Sequence, residues 1–212
     1  MRYLLIILPL LLSITACQSA YYSAMEKVGV HKRDILSDRV EEAQQSQQQA
    51  QEQFKSALEQ FSQLIQFDGG DLQRAYDATD SEYQACSKAA EDVSKRINSI
   101  EAVADALFDE WQDELKQYTS AKLKQDSAKK LDNTKRQYTS LLKTMRRAEK
   151  SMQPVLASLK DNTLYLKHNL NAKAIGALQG EFSSVQRDIN RLIAEMNTAI
   201  VQSEQFVATL KQ

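Results

Sequence analysis

Along most of this chain, apolar and small residues recur at alternating steps of three and four. That is the period of a helix packing along a narrow seam, and it restricts the fold more than any other feature. An isolated helix with such a seam would leave it wet, so each seam must close against another helix. The first stripe is Leu36, Val40, Ala43, Gln47, Ala50, Phe54, Ala57, Phe61 and Leu64. It stops at "FDGGDL", where Gly69-Gly70 predicts a helix end and a turn. The second runs Leu72, Tyr76, Thr79, Tyr83, Cys86, Ala90, Val93, Ile97, Ile100, Ala104, Leu107, Trp111. It then slips by one step to Leu115 and Tyr118, which reads as a stutter in the supercoil.

Residues 119–136 are polar, and a turn or weak helical stretch is expected between Gln125 and Asn133. The third stripe is Leu131, Thr134, Tyr138, Leu141, Met145, Ala148, Met152, Val155, Leu159, Asn162, Leu166. Pro154 lies inside it and is expected to kink the helix or mark a boundary, since it lacks a donor and crowds the preceding turn. "HNLNA" (168–172) reads as a helix end and a new cap. The fourth stripe is Leu178, Phe182, Val185, Ile189, Leu192, Met196, Ala199, Ser203, Phe206, Leu210. Only 5 Gly and 2 Pro interrupt the 212 residues, as in chains built from long helices. Short connections make consecutive helices antiparallel. The expected fold is all-α, an elongated antiparallel helical bundle or coiled coil of three to four long helices. Several seam positions hold Ala, Thr or Ser, which bury little, so a segment such as 43–57 is expected to be weakly held.

The N-terminus is a separate problem. Met1-Arg2 is followed by an apolar run from Tyr3 to Ile14. A membrane span needs about 20 apolar residues, whereas a run of this length matches the core of a secretory signal peptide. "ITAC" (Ile14-Thr15-Ala16-Cys17) resembles the lipobox of bacterial lipoproteins. The resemblance implies diacylglycerol transfer to the Cys17 thiol, cleavage before Cys17 and acylation of the new terminus. Gln18, in place of Asp, implies the periplasmic face of the outer membrane by the lipoprotein sorting rule, with the inner membrane as the other address. Several acyl chains hold a protein firmly where one holds it marginally. The expected organisation is a signal peptide at 1–16, an acylated terminus and short tether at 17–24, and one helical domain at 25–212. Losing residues 1–16 removes Arg2 alone, which takes the formal charge from −1 to about −2. A near-neutral chain lacks the basic face of a nucleic-acid binder.

Residues suited to chemistry are sparse. The two histidines, His31 and His168, sit in "VGVHKRD" and "LKHNLN", without the three or four closely arrayed ligands of a zinc site. They would meet only if the first and third helices ran side by side. Cys86 falls in the second seam and reads as a small buried residue, with an intermolecular disulfide as the alternative. There is no G-x-x-x-x-G-K-[ST] phosphate loop, no G-x-G-x-x-G and no G-x-S-x-G elbow. Carboxylate pairs in "DRVEEA" and "FDEWQDEL" read as a solvated helix face, and Trp111 as a core residue. "QQSQQQAQEQ" (44–53) reads as a polar exterior, with partner binding as the sharper alternative. No catalytic residue, cofactor or metal is expected.

Two longer segments, "MEKVGVHKRDILSDRVEEA" (25–43) and "LYLKHNLNAKAIGALQGEF" (164–182), resemble signatures of a family of bacterial envelope proteins classed as a domain of unknown function. "FDGGDL" and "ALFDEWQDEL" also resemble it, and the likeness extends from about Tyr21 to Leu210. Some members carry names hinting at a DNA-repair ATPase, but the resemblance implies a shape and a location and no activity. The expected function is therefore a non-enzymatic scaffold on the membrane, binding another envelope protein or itself. The candidate interaction residues are His31, Lys32, Arg33 and Asp34 beside the anchor, and His168, Asn169 and Asn171 at the later break. One alternative is a bundle binding a lipid or other apolar ligand, lined by Tyr138, Phe182, Phe206 and Trp111. A less favoured one is an envelope hydrolase, which would need a cleft with converging polar groups.

Overall fold

The computed structural model describes residues 21, 22, 25, 26, 28–66, 69 and 71–211. The expected signal peptide and lipobox, with Cys17, lie outside the described residues. Among the described residues there are four long helices: α1 (Lys32–Ile65), α2 (Leu72–Glu114), α3 (Ala121–His168) and α4 (Ala172–Leu210). Among the described residues there is no strand. At 48 residues α3 is about 72 Å long, which makes the molecule a rod.

Local chemistry sets the breaks. Gly29 adopts φ +84° in the turn that precedes α1, a conformation costly for any residue with a Cβ. Gly69 adopts φ +151° between α1 and α2, and Asp71 then caps α2 by accepting from the backbone N–H groups of Gln73 and Arg74. Ser120 caps α3 through Leu123 N–H, and Asn171 caps α4 through Ala174 N–H. The expected breaks at Gly69-Gly70 and at 168–172 are both present.

Each helix packs on its neighbours in a ring, α1 on α2, α2 on α3, α3 on α4 and α4 back on α1. All four contacts are antiparallel, because partner numbers fall along one helix as they rise along the other. Lys32 meets Glu110, Glu42 meets Arg96, and Ser56 meets Glu82. Gln51 meets Asn197 while Lys211 reaches back to Glu41. The result is an up-down-up-down bundle closed by one chain. Residues from all four stripes form a single buried cluster, and every member of the first and third stripes is buried.

Three expectations need correction. The turn before α3 lies at 115–120, not between Gln125 and Asn133, which are helical. Lys, Gln and Ala are strong helix formers, and Ser120 starts the helix without any help from a seam. The slip to Leu115 and Tyr118 is the end of α2 and not a stutter. Pro154 marks no boundary; α3 runs through it unbroken. Both Pro154 and Lys150, whose carbonyl loses its donor, are on exposed faces where water replaces the lost bond. His31 begins α1 and His168 ends α3, and α1 does not run beside α3, so the condition for the two histidines to meet is not satisfied and they sit at opposite ends of the rod.

Candidate functional site

The predicted interaction residues divide between the two ends of the bundle. At the end where α1 begins, His31 is the N-cap of α1 in extended geometry, with no side-chain cap bond. His31, Arg33 and Asp34 are exposed. Lys32 behaves differently. Its ammonium donates to Glu26 and, at 2.9 Å, to Glu110 of α2. Only about a tenth of the Lys32 side chain is exposed.

The three charges tune one another. Burial works against the Lys32 charge, but bonds to Glu26 and Glu110 outweigh it and hold its pKa above the ordinary lysine range. The bond from Lys32 holds Glu26 below the ordinary carboxylate range. Burial pushes Glu110 the other way. The cluster is a latch: it ties the segment before α1 to both α1 and α2. Tyr22 of that segment is buried in the core cluster and Met25 packs against it. Burial raises the Tyr22 hydroxyl pKa, opposed by the nearby Arg39 guanidinium.

At the far end, Asn169 donates its side-chain amide to Tyr165 O and forms the C-cap of α3, while Asn171 caps α4. These two residues are consumed in ending and starting helices. His168 is exposed, as are its neighbours Leu164, Tyr165 and Leu170.

The interior is filled by side chains. Phe182 packs on Phe61 with ring centroids 5.6 Å apart. Tyr138 packs on Phe108 at 5.3 Å and on Phe206 at 6.4 Å. Trp111 is half-buried and donates its indole N–H to Ser127 Oγ at 2.8 Å, pinning the end of α2 to the start of α3. The clefts lined by described residues are open grooves between neighbouring helices, such as that of Glu42, Gln45, Gln49, Asp92, Lys95 and Arg96. Among the described residues, no group of three or more His, Cys, Asp or Glu converges as a metal shell. No described helix is long and apolar enough to cross a membrane.

Cys86 is fully buried, its Sγ 3.6 Å from Gln53 O, with its pKa pushed up to about 12 by burial and by Glu82. That is the environment of an inert packing residue rather than a nucleophile.

Sequence reasoning missed one surface. The turn between α2 and α3 and the first turns of α3 carry Lys116, Lys122, Lys124, Lys129 and Lys130, all exposed, with exposed Tyr118 and Leu123 among them. Its signal was present in the polar run 119–136, whose lysines and lone Leu123 had no seam to explain them.

The chain belongs to the family described as "Protein of unknown function (DUF2959)", whose family model matches residues 21–210. The match covers the whole bundle, from the folded-back Tyr21-Tyr22 to the last residue of α4. No curated protein matches the chain.

Proposed function

We propose that this protein is a lipoprotein held at the periplasmic face of the outer membrane through acylated Cys17, and that it is a non-enzymatic scaffold presenting helix faces to another envelope protein. The observation that carries the scaffold role is the closure of all four seams within one chain. What remains for function is the outside of the rod and its two ends. The sequence of the leader and the "ITAC" motif support the anchor. Self-association through a seam loses its motive, so the reading favours a different protein as partner. The packed Phe61–Phe182 and Phe108–Tyr138–Phe206 contacts weigh against an apolar ligand between the helices. The DNA-repair ATPase naming of some family members is not adopted, since the sequence offers no phosphate loop.

Two experiments test the two halves. Cys17→Ser should release the protein from the envelope membrane fraction and block leader cleavage; membrane retention with normal cleavage sinks the anchor. Photo-crosslinkers on exposed faces of α1 and α4 should trap one discrete partner in intact cells. A protein that stays monomeric and untrapped at every position sinks the scaffold.

A further inference from the structure

The α2–α3 hairpin projects past the end of α4. Lys211, just after α4, pairs with Glu41, and Phe206 packs on Tyr138, so α4 ends about level with Thr134 and stops short of α3 residues 121–130. Between residues 116 and 130 the hairpin carries five lysines against one acid, Asp126. Lys116 pairs with Asp113 at 2.6 Å. Lys122, Lys124, Lys129 and Lys130 are exposed and have no ion-pair partner among the described residues.

Two apolar side chains stand among these lysines, Tyr118 at 41% and Leu123 at 57% exposure. Leu123 lies one helical turn before Ser127, which holds Trp111. It therefore continues the face of α3 that packs on α2, beyond the point where α2 stops. A seam residue without a partner, ringed by cations, is the pattern of a surface that meets anionic headgroups with its charges and the acyl boundary with its apolar tips.

Chain length supplies the second argument. Tyr21 and Tyr22 lie near the Arg39 guanidinium. Lys32, seven residues or about 10 Å nearer the hairpin along α1, is level with Glu110. The end of α2 at Glu114 is a further four residues on, so the hairpin turn lies about 16 Å or more beyond Arg39. From Tyr21 back to Cys17 is four residues, at most about 14 Å of extended chain. A rod tied to a bilayer at Cys17 and standing on this end brings the hairpin to the surface, because the tether is shorter than the hairpin's reach beyond Arg39.

We propose that the α2–α3 hairpin is a second membrane contact, docking on anionic lipid through Lys122, Lys124, Lys129 and Lys130, with Tyr118 and Leu123 entering the interface. The length argument rests on the lipid-anchored reading, while the charge and exposure arguments do not.

The test uses the chain from Tyr21 onward, which retains every described residue and carries no acyl group. It is sedimented with vesicles of phosphatidylcholine with and without phosphatidylglycerol. Binding is expected only to the anionic vesicles and should weaken as salt rises. Reversing all four lysines to Glu should reduce binding by more than 100-fold, at roughly fivefold for each charge removed. The four-Arg variant should bind like the parent, and Leu123→Ser with Tyr118→Ser should weaken binding at fixed salt. Circular dichroism of each variant, unchanged from the parent, confirms that the bundle is intact. Equal binding to neutral vesicles, no binding, or undiminished binding by the four-Glu variant overturns the proposal; so does capture of an acidic protein in place of lipid. Cys17 is absent from this assay, so its outcome is independent of the Cys17→Ser test of the anchor.

Discussion

The two ends of the rod and its middle are packed in different ways. Toward the α1–α2 turn, Phe54, Phe61 and Leu64 fill the interior, with Phe182 packed on Phe61. Toward the hairpin, Phe108, Tyr138 and Phe206 do the same. Between these plugs the seam of α1 is Ala43, Gln47 and Ala50. Gln44 bonds Glu204 and Gln51 bonds Asn197, which places that stretch opposite Ala199 and Ser203 of α4. Both are fully buried, as is Ala148 of α3. Small side chains bring backbones close but remove little apolar area from water, whereas a buried aromatic removes 150–250 Å² in the general case.

Gln47 sharpens the contrast. It is 0% exposed, and neither its amide nitrogen nor its amide oxygen has a hydrogen-bond partner among the described residues. A leucine there would hold the helices together better. A polar residue at one seam position penalises any register in which it meets an apolar layer, so it selects one alignment at a cost in stability. The plugs supply cohesion; the middle supplies register.

The largest expected effect breaks a plug. Phe61→Ala, with Phe182 left facing the cavity, should lower unfolding free energy by about 3–5 kcal/mol. Chemical denaturation reads this, and a loss below about 1 kcal/mol would mean that the end is loosely packed. Next comes overfilling the middle. Ala199→Leu adds three carbons at a fully buried position and should cost about 1–3 kcal/mol. A neutral result would show the middle to be spacious.

The third change reverses sign. Gln47→Leu removes an unpaired buried amide at similar volume and should raise stability by about 1–2 kcal/mol. Cysteine-pair crosslinking across α1 and α4 should then show shifted registers alongside the native one. A loss of stability would mean that the amide is satisfied and the register argument is wrong.

The smallest effect concerns pH at the hairpin plug. Burial first, then Asp109 and Glu101, raise the Asp105 pKa. A carboxyl raised in the folded state costs stability when ionised, and the cost disappears as pH falls through that folded value. Asp105→Asn should therefore stabilise at neutral pH by a few tenths of a kcal/mol, since Asp105 is exposed and screened. The gain should vanish in acid, and a gain that persists there would point to packing instead.

The plugs and the middle were both visible in the sequence. The stripes named Phe54, Phe61, Tyr138, Phe182 and Phe206 as seam residues, and named Gln47 between two alanines. A strict three-four period tells which residues turn inward, and 3.6 residues per turn does the rest. The ends of α2 and α3 were less legible. There the helices outrun their partners, so periodicity carries no information, and Ser120 with its single cap bond is the only local mark of the turn. The Lys32 latch was out of reach for another reason. Lys32, Glu26 and Glu110 converge across 84 residues of chain, and no local pattern encodes which charges will face one another. Of the predicted interaction residues, Asn169 and Asn171 carry only the signal that makes them caps, and one signal does not also mark a binding site.

The buried sulfur of Cys86 has a practical consequence. In a chain that starts at Tyr21 it is the sole thiol, sealed at 0% exposure between α2 and the backbone of α1 at Gln53. A thiol-specific reagent can reach it only when those two helices part. The rate of its alkylation, measured in undenatured protein, is then a built-in clock for the opening of the α1–α2 pair, and needs no engineered probe. Run on Gln47→Leu and Phe61→Ala, the same clock would tell whether the rod breathes from its middle or unzips from its end.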